Sequence, residues 1–158
     1  MALDELLIED RGAIRMLTLN RPADRNPAST ALLFRLTELM QELASDESVS
    51  AVILTGAGKA FSAGGDFKHF VATATDPAVA RVTVDNGRAF VEAMLNVPIP
   101  VIAAVNGAAV GFGATLLALS DIVIMAETAF IAEPHINVGL VIGDGISVCT
   151  FSATALMA

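Results

Sequence analysis

An α/β fold with largely parallel strands is predicted by three observations on this sequence. Short runs of apolar and β-branched residues alternate with longer segments of helical periodicity. The strand-like runs end at glycine, asparagine or proline, the residues that stop a strand and turn the chain. Residues 93–120 carry no charge, yet Pro98, Pro100, Asn106-Gly107, Gly111 and Gly113 break them into pieces too short to cross a membrane. That stretch therefore reads as a buried strand, a loop and a helix.

Residues 6–9 and 14–20 predict two short strands, with Asp10-Arg11-Gly12 as the turn and Arg21-Pro22 as the stop. Ser29 or Thr30 caps a helix running to about residue 44. Leu32, Leu33, Leu36, Leu39, Met40 and Leu43 form its apolar face. Residues 49–55 form a β-branched strand that Gly56-Ala57-Gly58 ends. Asp76-Pro77 opens a second helix reaching about residue 95. Val101 to Val105 predicts a strand buried on both faces, residues 113–119 a buried helix, and residues 122–125 the next strand, with a further short one at 129–131. No internal repeat, low-complexity tract or linker is present, so the chain is expected to form one domain, residues 1–158.

The 158 residues are 54% hydrophobic and 16% charged, without Trp or Tyr, an apolar balance that fits buried strands or an oligomer interface. A formal charge of −8 excludes the basic footprint that non-specific nucleic-acid binding needs. The single cysteine, Cys149, allows no internal disulfide and reads as a small core residue, in keeping with a cytoplasmic setting. Met1-Ala2-Leu3-Asp4-Glu5 lacks the basic-then-apolar order of a signal peptide.

Two glycine-rich stretches about forty residues apart carry the chemistry. The first is Lys59-Ala60-Phe61-Ser62-Ala63-Gly64-Gly65-Asp66; the second runs from Pro100 through Asn106-Gly107 to Gly111-Phe112-Gly113. Each follows an apolar strand and offers backbone N–H groups at a strand end. Singly, each is what a tight turn requires. Converging on one point, two such groups make an oxyanion hole. Nucleotide motifs do not fit: Phe61 stands where a dinucleotide fingerprint needs its third glycine, and Ile53 where a P-loop needs its first. No cluster of Cys, His and carboxylate has metal-ligand spacing.

This ordered pair of motifs resembles the crotonase (enoyl-CoA hydratase/isomerase) superfamily, with residues 1–145 similar to the family core and 146–158 an atypical tail. The resemblance implies a right-handed spiral of ββα turns whose C-terminal helical part, which helps close the acyl pocket and build a trimer or hexamer, is missing here. It implies an acyl-CoA substrate in fatty acid metabolism, with CoA arriving as part of the substrate and no permanently bound cofactor. By position, the backbone N–H groups of Gly65 and Phe112 would bind the thioester oxygen. Phe112 stands where the family usually has glycine, and its ring would narrow the acyl pocket or shift the loop. Ala63 and Gly64 would meet the adenine of CoA, Asp66 would order this loop or cap the next helix, and Ala28 of Asn26-Pro27-Ala28 would lie near the CoA mouth. Arg25, Lys59 and Lys68 are the nearest cations for its phosphates.

The acid/base residues depart from the family pattern. Hydratases of this family use two glutamates, and their positions here hold Thr115 and His135. Thr115 cannot act as a carboxylate base, although it can hold a water or a substrate carbonyl. His135 can exchange protons near neutral pH, and Asp144 between Gly143 and Gly145 could fix its tautomer. This spacing resembles the branch containing 6-oxocamphor hydrolase, which implies an alternative, CoA-independent cleavage of a β-diketone carbon–carbon bond. The bland counterpart is a hydrogen-bonded structural histidine and a turn aspartate. Glu133 ranks below Asp144 because adjacent side chains point apart. His69 is expected on a helix start, in a surface or lid role. Loss of both glutamates also leaves open an inactive binding module on the same scaffold.

Overall fold

The computed structural model describes residues 4–139 and 154–157. Asp144, Cys149 and the tail to residue 153 lie outside the described residues. Strands β1 (Leu6–Arg11) and β2 (Ile14–Leu19) form a hairpin, paired from Leu6 with Leu19 to Arg11 with Ile14. Gly12, at φ +63°, makes the tight connection, so β1 extends two residues past the predicted end and the turn falls later. Then follow helix α1 (Thr30–Leu43), β3 (Ala51–Gly56), β4 (Ala60–Ser62), α2 (Phe67–Thr75), α3 (Pro77–Leu95), β5 (Val101–Val105), β6 (Ala108–Val110), α4 (Phe112–Ala118), β7 (Ile122–Met125), β8 (Ile131–Ala132) and β9 (Thr154–Met157).

Two sheets share these strands. The larger has the order β1-β2-β3-β5-β7-β9, parallel from β2 onward. The smaller is β4-β6-β8, all parallel. The chain therefore leaves the large sheet for the small one at β3–β4, β5–β6 and β7–β8, and each return passes through a helix where one exists. Repeated, this step winds a ββα spiral. Corner glycines let its coils stack. A Cβ on Gly56 would lie 2.4 Å from the Ala60 and Phe61 carbonyl oxygens, and one on Gly107 would lie 2.1 Å from that of Lys59. Asn106 ties the same corners together: its Oδ1 accepts from the Gly56 amide (3.1 Å) and its Nδ2 donates to the Gly58 carbonyl (3.0 Å).

Local signals set the helix starts. Ser29 Oγ accepts from the Leu32 amide (3.1 Å), and Asp76 Oδ1 from the Ala78 amide (2.8 Å), with Pro77 in the first turn of α3. Leu32, Leu36, Leu39, Met40 and Leu43 of α1 are buried, and they join Phe90 and Met94 of α3 and Leu17, Val52, Leu54 and Val105 of the large sheet in one core. Strand β5 was expected to be buried on both faces. Instead Val101, Ala103 and Val105 are buried while Ile102 and Ala104 are half-covered, because the core lies on one side of the large sheet. Helix α2 escapes a periodicity reading, since its apolar residues Phe67 and Val71 are exposed. Among the described residues no helix is long and apolar enough to cross a membrane.

Candidate active site

The small sheet assembles the site. Strands β4, β6 and β8 run parallel side by side, so their carboxyl ends open on one side, where ligands commonly bind in parallel sheets. From β4 the chain enters Ala63-Gly64-Gly65-Asp66; from β6 it enters Gly111 and α4; from β8 it passes through Glu133 and Pro134 to His135. Three sequence-distant segments thus meet. A Cβ on Gly111 would sit 3.9 Å from Gly64 Cα and 3.8 Å from His135 Cε1, so both glycine motifs and the imidazole are in mutual reach.

Both glycines are needed as glycines. Gly64 adopts φ +99°, with a would-be Cβ 3.0 Å from the Val110 carbonyl oxygen. Gly111 adopts φ +50° and sits as the N-cap of α4 without a side-chain cap, its amide donating to the Ala132 carbonyl (2.9 Å). The first intrahelical acceptor is the Gly111 carbonyl, taken by the Thr115 amide at 3.0 Å. The amides of Phe112, Gly113 and Ala114 therefore lack partners within the helix and point out of its first turn.

Gly65 is held by a parallel bridge to Ala28. The Ala28 amide donates to the Gly64 carbonyl (2.7 Å) and the Asp66 amide to the Ala28 carbonyl (2.9 Å). In this pattern the Gly65 N–H faces away from Ala28. Among the described residues no hydrogen bond takes up the Gly65 or the Phe112 amide. Behind the loop, the buried Ser62 hydroxyl donates to the Asn26 carbonyl (2.8 Å) and accepts from the Gly64 amide (3.2 Å). Buried Asn26 donates to the Ala57 and Ala60 carbonyls, both at 2.9 Å.

The Asp66 carboxylate meets the Arg21 guanidinium at 2.9 Å and so ties the loop to the end of β2. That hydrogen bond is the main cause holding Arg21 even more firmly protonated than usual, against the opposing effect of burial. The Asp66 carbonyl accepts the amides of His69 and Phe70 and so starts α2. Arg25 is exposed at φ 65°, and its carbonyl accepts the Ala63 amide (2.8 Å), which brings two of the expected CoA contacts together. Lys59 is exposed at the β3–β4 corner. Arg21, Asp24, Glu5 and Asp66 line a surface pocket of about 450 Å³ beside this loop, too rich in carboxylates for a phosphate.

Three residues stand in settings that the sequence did not show. Thr115 is fully buried, its hydroxyl turned back to the Gly111 carbonyl (3.5 Å). The Phe112 ring packs on Phe90 of α3. Glu133 does not point away from His135. Pro134, at φ −92° and ψ 12°, turns the chain so that the residues on either side of it meet, and Glu133 Oε1 contacts His135 Nδ1. The signal for this was the proline between them. His69 lies on α2, where Nδ1 is 3.1 Å from the Thr30 hydroxyl and Nε2 2.9 Å from that of Thr83. It thereby joins three helices. No group of three or more His, Cys, Asp or Glu suited to a metal occurs among the described residues.

Residues 9–152 match the family described as enoyl-CoA hydratase/isomerase. The chain is 36% identical over 151 residues to 2,3-dehydroadipyl-CoA hydratase of Escherichia coli, covering 90% of this chain and 54% of that protein. It is 36% identical over 135 residues to a putative enoyl-CoA hydratase of Thermus thermophilus, covering 84% of this chain and 53% of that one. Among solved structures, an enoyl-CoA hydratase/isomerase from Mycobacterium paratuberculosis superposes with a TM-score of 0.88 at 46% identity, over 92% of this chain and 58% of that one. The chain thus spans about half the length of the relatives it matches.

Proposed function

The chain belongs to the enoyl-CoA hydratase/isomerase family, within the crotonase superfamily, and from that premise we propose that it acts on acyl-CoA thioesters through a site that holds negative charge on the thioester oxygen. The observation that carries this reading is the meeting of Gly64, Gly111 and His135 at the carboxyl ends of three parallel strands. The amides of Gly65 and Phe112 donate to the thioester oxygen, which is where charge develops when an enoyl thioester takes up water or shifts its double bond. Fixed backbone donors favour that charge without reorganising.

His135 supplies the proton transfer. In hydration, the oxygen of water bonds to the β-carbon while the imidazole takes the proton. The double-bond electrons move toward the thioester oxygen, and the resulting enolate recovers a proton at the α-carbon. Arg25, Ala28, Ala63, Gly64 and Asp66 border the CoA part of the substrate, which arrives with the acyl group and leaves with it. Assembly as a homotrimer or hexamer belongs to the same reading.

Calorimetric titration with acetoacetyl-CoA, against free CoA, tests it. Tighter binding of the thioester supports an oxyanion site. A second reading, cleavage of a β-diketone by water activated at His135, is favoured by the histidine standing where a glutamate would serve a hydratase. Folded chain that binds neither CoA compound but cleaves a cyclic β-diketone would replace the first reading with the second, and one that does neither would be an inactive module.

A further inference from the structure

We propose that Glu133 is the residue that fixes the tautomer of His135, a positioning role resting on the reading of His135 as the proton-transfer group. Glu133 follows β8, and His135 opens the 3-10 turn His135–Val138. The carboxylate oxygen Oε1 meets Nδ1 and also stands 3.4 Å from the His135 backbone amide, so one oxygen grips both ring and main chain. The side chains are only 13% (His135) and 20% (Glu133) exposed, which strengthens a charged contact over its value in water.

A carboxylate accepts and does not donate. Nδ1 of the neutral ring must therefore carry the hydrogen, and the lone pair that takes a proton sits on Nε2. Once that proton arrives, the same carboxylate stabilises the imidazolium. Cε1, the ring corner bonded to both nitrogens, is the part that faces Gly111, beside the Phe112 amide. Glu133 Oε2 is buried and takes no hydrogen bond among the described residues, so contact with His135 is what offsets the burial of this charge. Asp144, the sequence candidate for the orienting task, lies outside the described residues; the contact the structure describes comes from Glu133, two residues from the ring and across a proline.

The test is nitrogen NMR on the 15N-labelled 158-residue chain, whose two histidines are separated by a His69→Gln variant. At about pH 8, where an ordinary imidazole is neutral, Nδ1 of His135 is expected to be the protonated nitrogen. In Glu133→Ala the signal should move toward a tautomer mixture, and kcat should fall about 100-fold with KM nearly unchanged. Glu133→Asp should recover part of both. A hydrogen on Nε2 in the wild-type ring overturns the proposal without need of any Glu133 variant. So does a tautomer that Glu133→Ala leaves unchanged. Full turnover in His135→Ala would instead sink the parent reading, with the spectrum still deciding which residue sets the tautomer.

Discussion

The phenyl ring of Phe112 rests on that of Phe90, with centroids 5.3 Å apart and planes tilted by 48°. Phe90 is 1% exposed on α3, so the first residue of α4 is anchored in the core through its side chain while its amide stays at the site. Phe90→Ala should cost about 3–5 kcal/mol of stability. It should also weaken acetoacetyl-CoA binding more than free CoA binding, because the Phe112 amide, the proposed donor, loses its anchor. Denaturant midpoints and calorimetry on the same variant check this, and an unchanged thioester preference would separate the ring contact from the site.

Gly64→Ala adds a methyl group at φ +99° and 3.0 Å from the Val110 carbonyl oxygen. The expected loss is about 1–3 kcal/mol, read from urea unfolding. Relief of the clash must push β4 and β6 apart at their ends, so the thioester preference should fall with the stability.

Arg21 and Asp66, with side chains 24% and 20% exposed, tie the Gly65 loop to the end of β2. Asp66→Asn removes a half-buried, charge-assisted bond and should cost about 1–2 kcal/mol. Calorimetry should show weaker acetoacetyl-CoA binding. Affinity equal to wild type would mean that the Arg21 contact is not what holds the loop.

His135→Ala should lower turnover by about 10²–10⁴-fold with substrate binding kept. His69→Ala, by contrast, should loosen the packing of α1, α2 and α3 and lower the melting temperature, with kcat close to wild type. Single-turnover rates and thermal melts on the pair would reveal an inverted assignment at once.

Acid should destabilise the hairpin end of the large sheet. The hydrogen bond from Arg15 holds the Asp10 carboxyl below its ordinary 3.8, and bonds from the Ser48 hydroxyl and amide, aided by Arg15, hold Asp46 below the same value. Folded pKa values lie under the unfolded ones. The contribution is therefore present above the unfolded value and lost as pH falls through the folded values. Urea midpoints should drop below roughly pH 4, and Arg15→Met should flatten that drop. An identical slope in Arg15→Met would remove Arg15 from the account.

Helix starts were legible because caps are local: Ser29 and Asp76-Pro77 bond to their own backbone. The hairpin, β7 and the glycine motifs were legible for the same reason. The second sheet was not, since β4, β6 and β8 are two or three residues long and show no periodicity. Their pairing arises from corner contacts such as Gly107 against Lys59, which no window of sequence contains. Gly65 and Phe112 could be placed by motif, but the partners that hold them, Ala28 and Phe90, could not. Glu133 was ranked low on the rule that adjacent side chains point apart, but Pro134 stands between it and His135 and turns the chain so that the two side chains meet.

Stacking of coils has a temporal consequence. Each coil of the spiral delivers one part of the site: Gly64 and Gly65 from the first, Gly111 and Phe112 from the second, His135 from the third. A chain emerging from the ribosome holds the glycine loop of one coil long before the next coil exists, and gains the imidazole last. No local folding unit contains the whole site, so it closes only when loops of some seventy residues, from Gly64 to His135, have been brought together. The geometry of the proposed site is thus a property of the finished winding, and any opening of a single coil dissolves it.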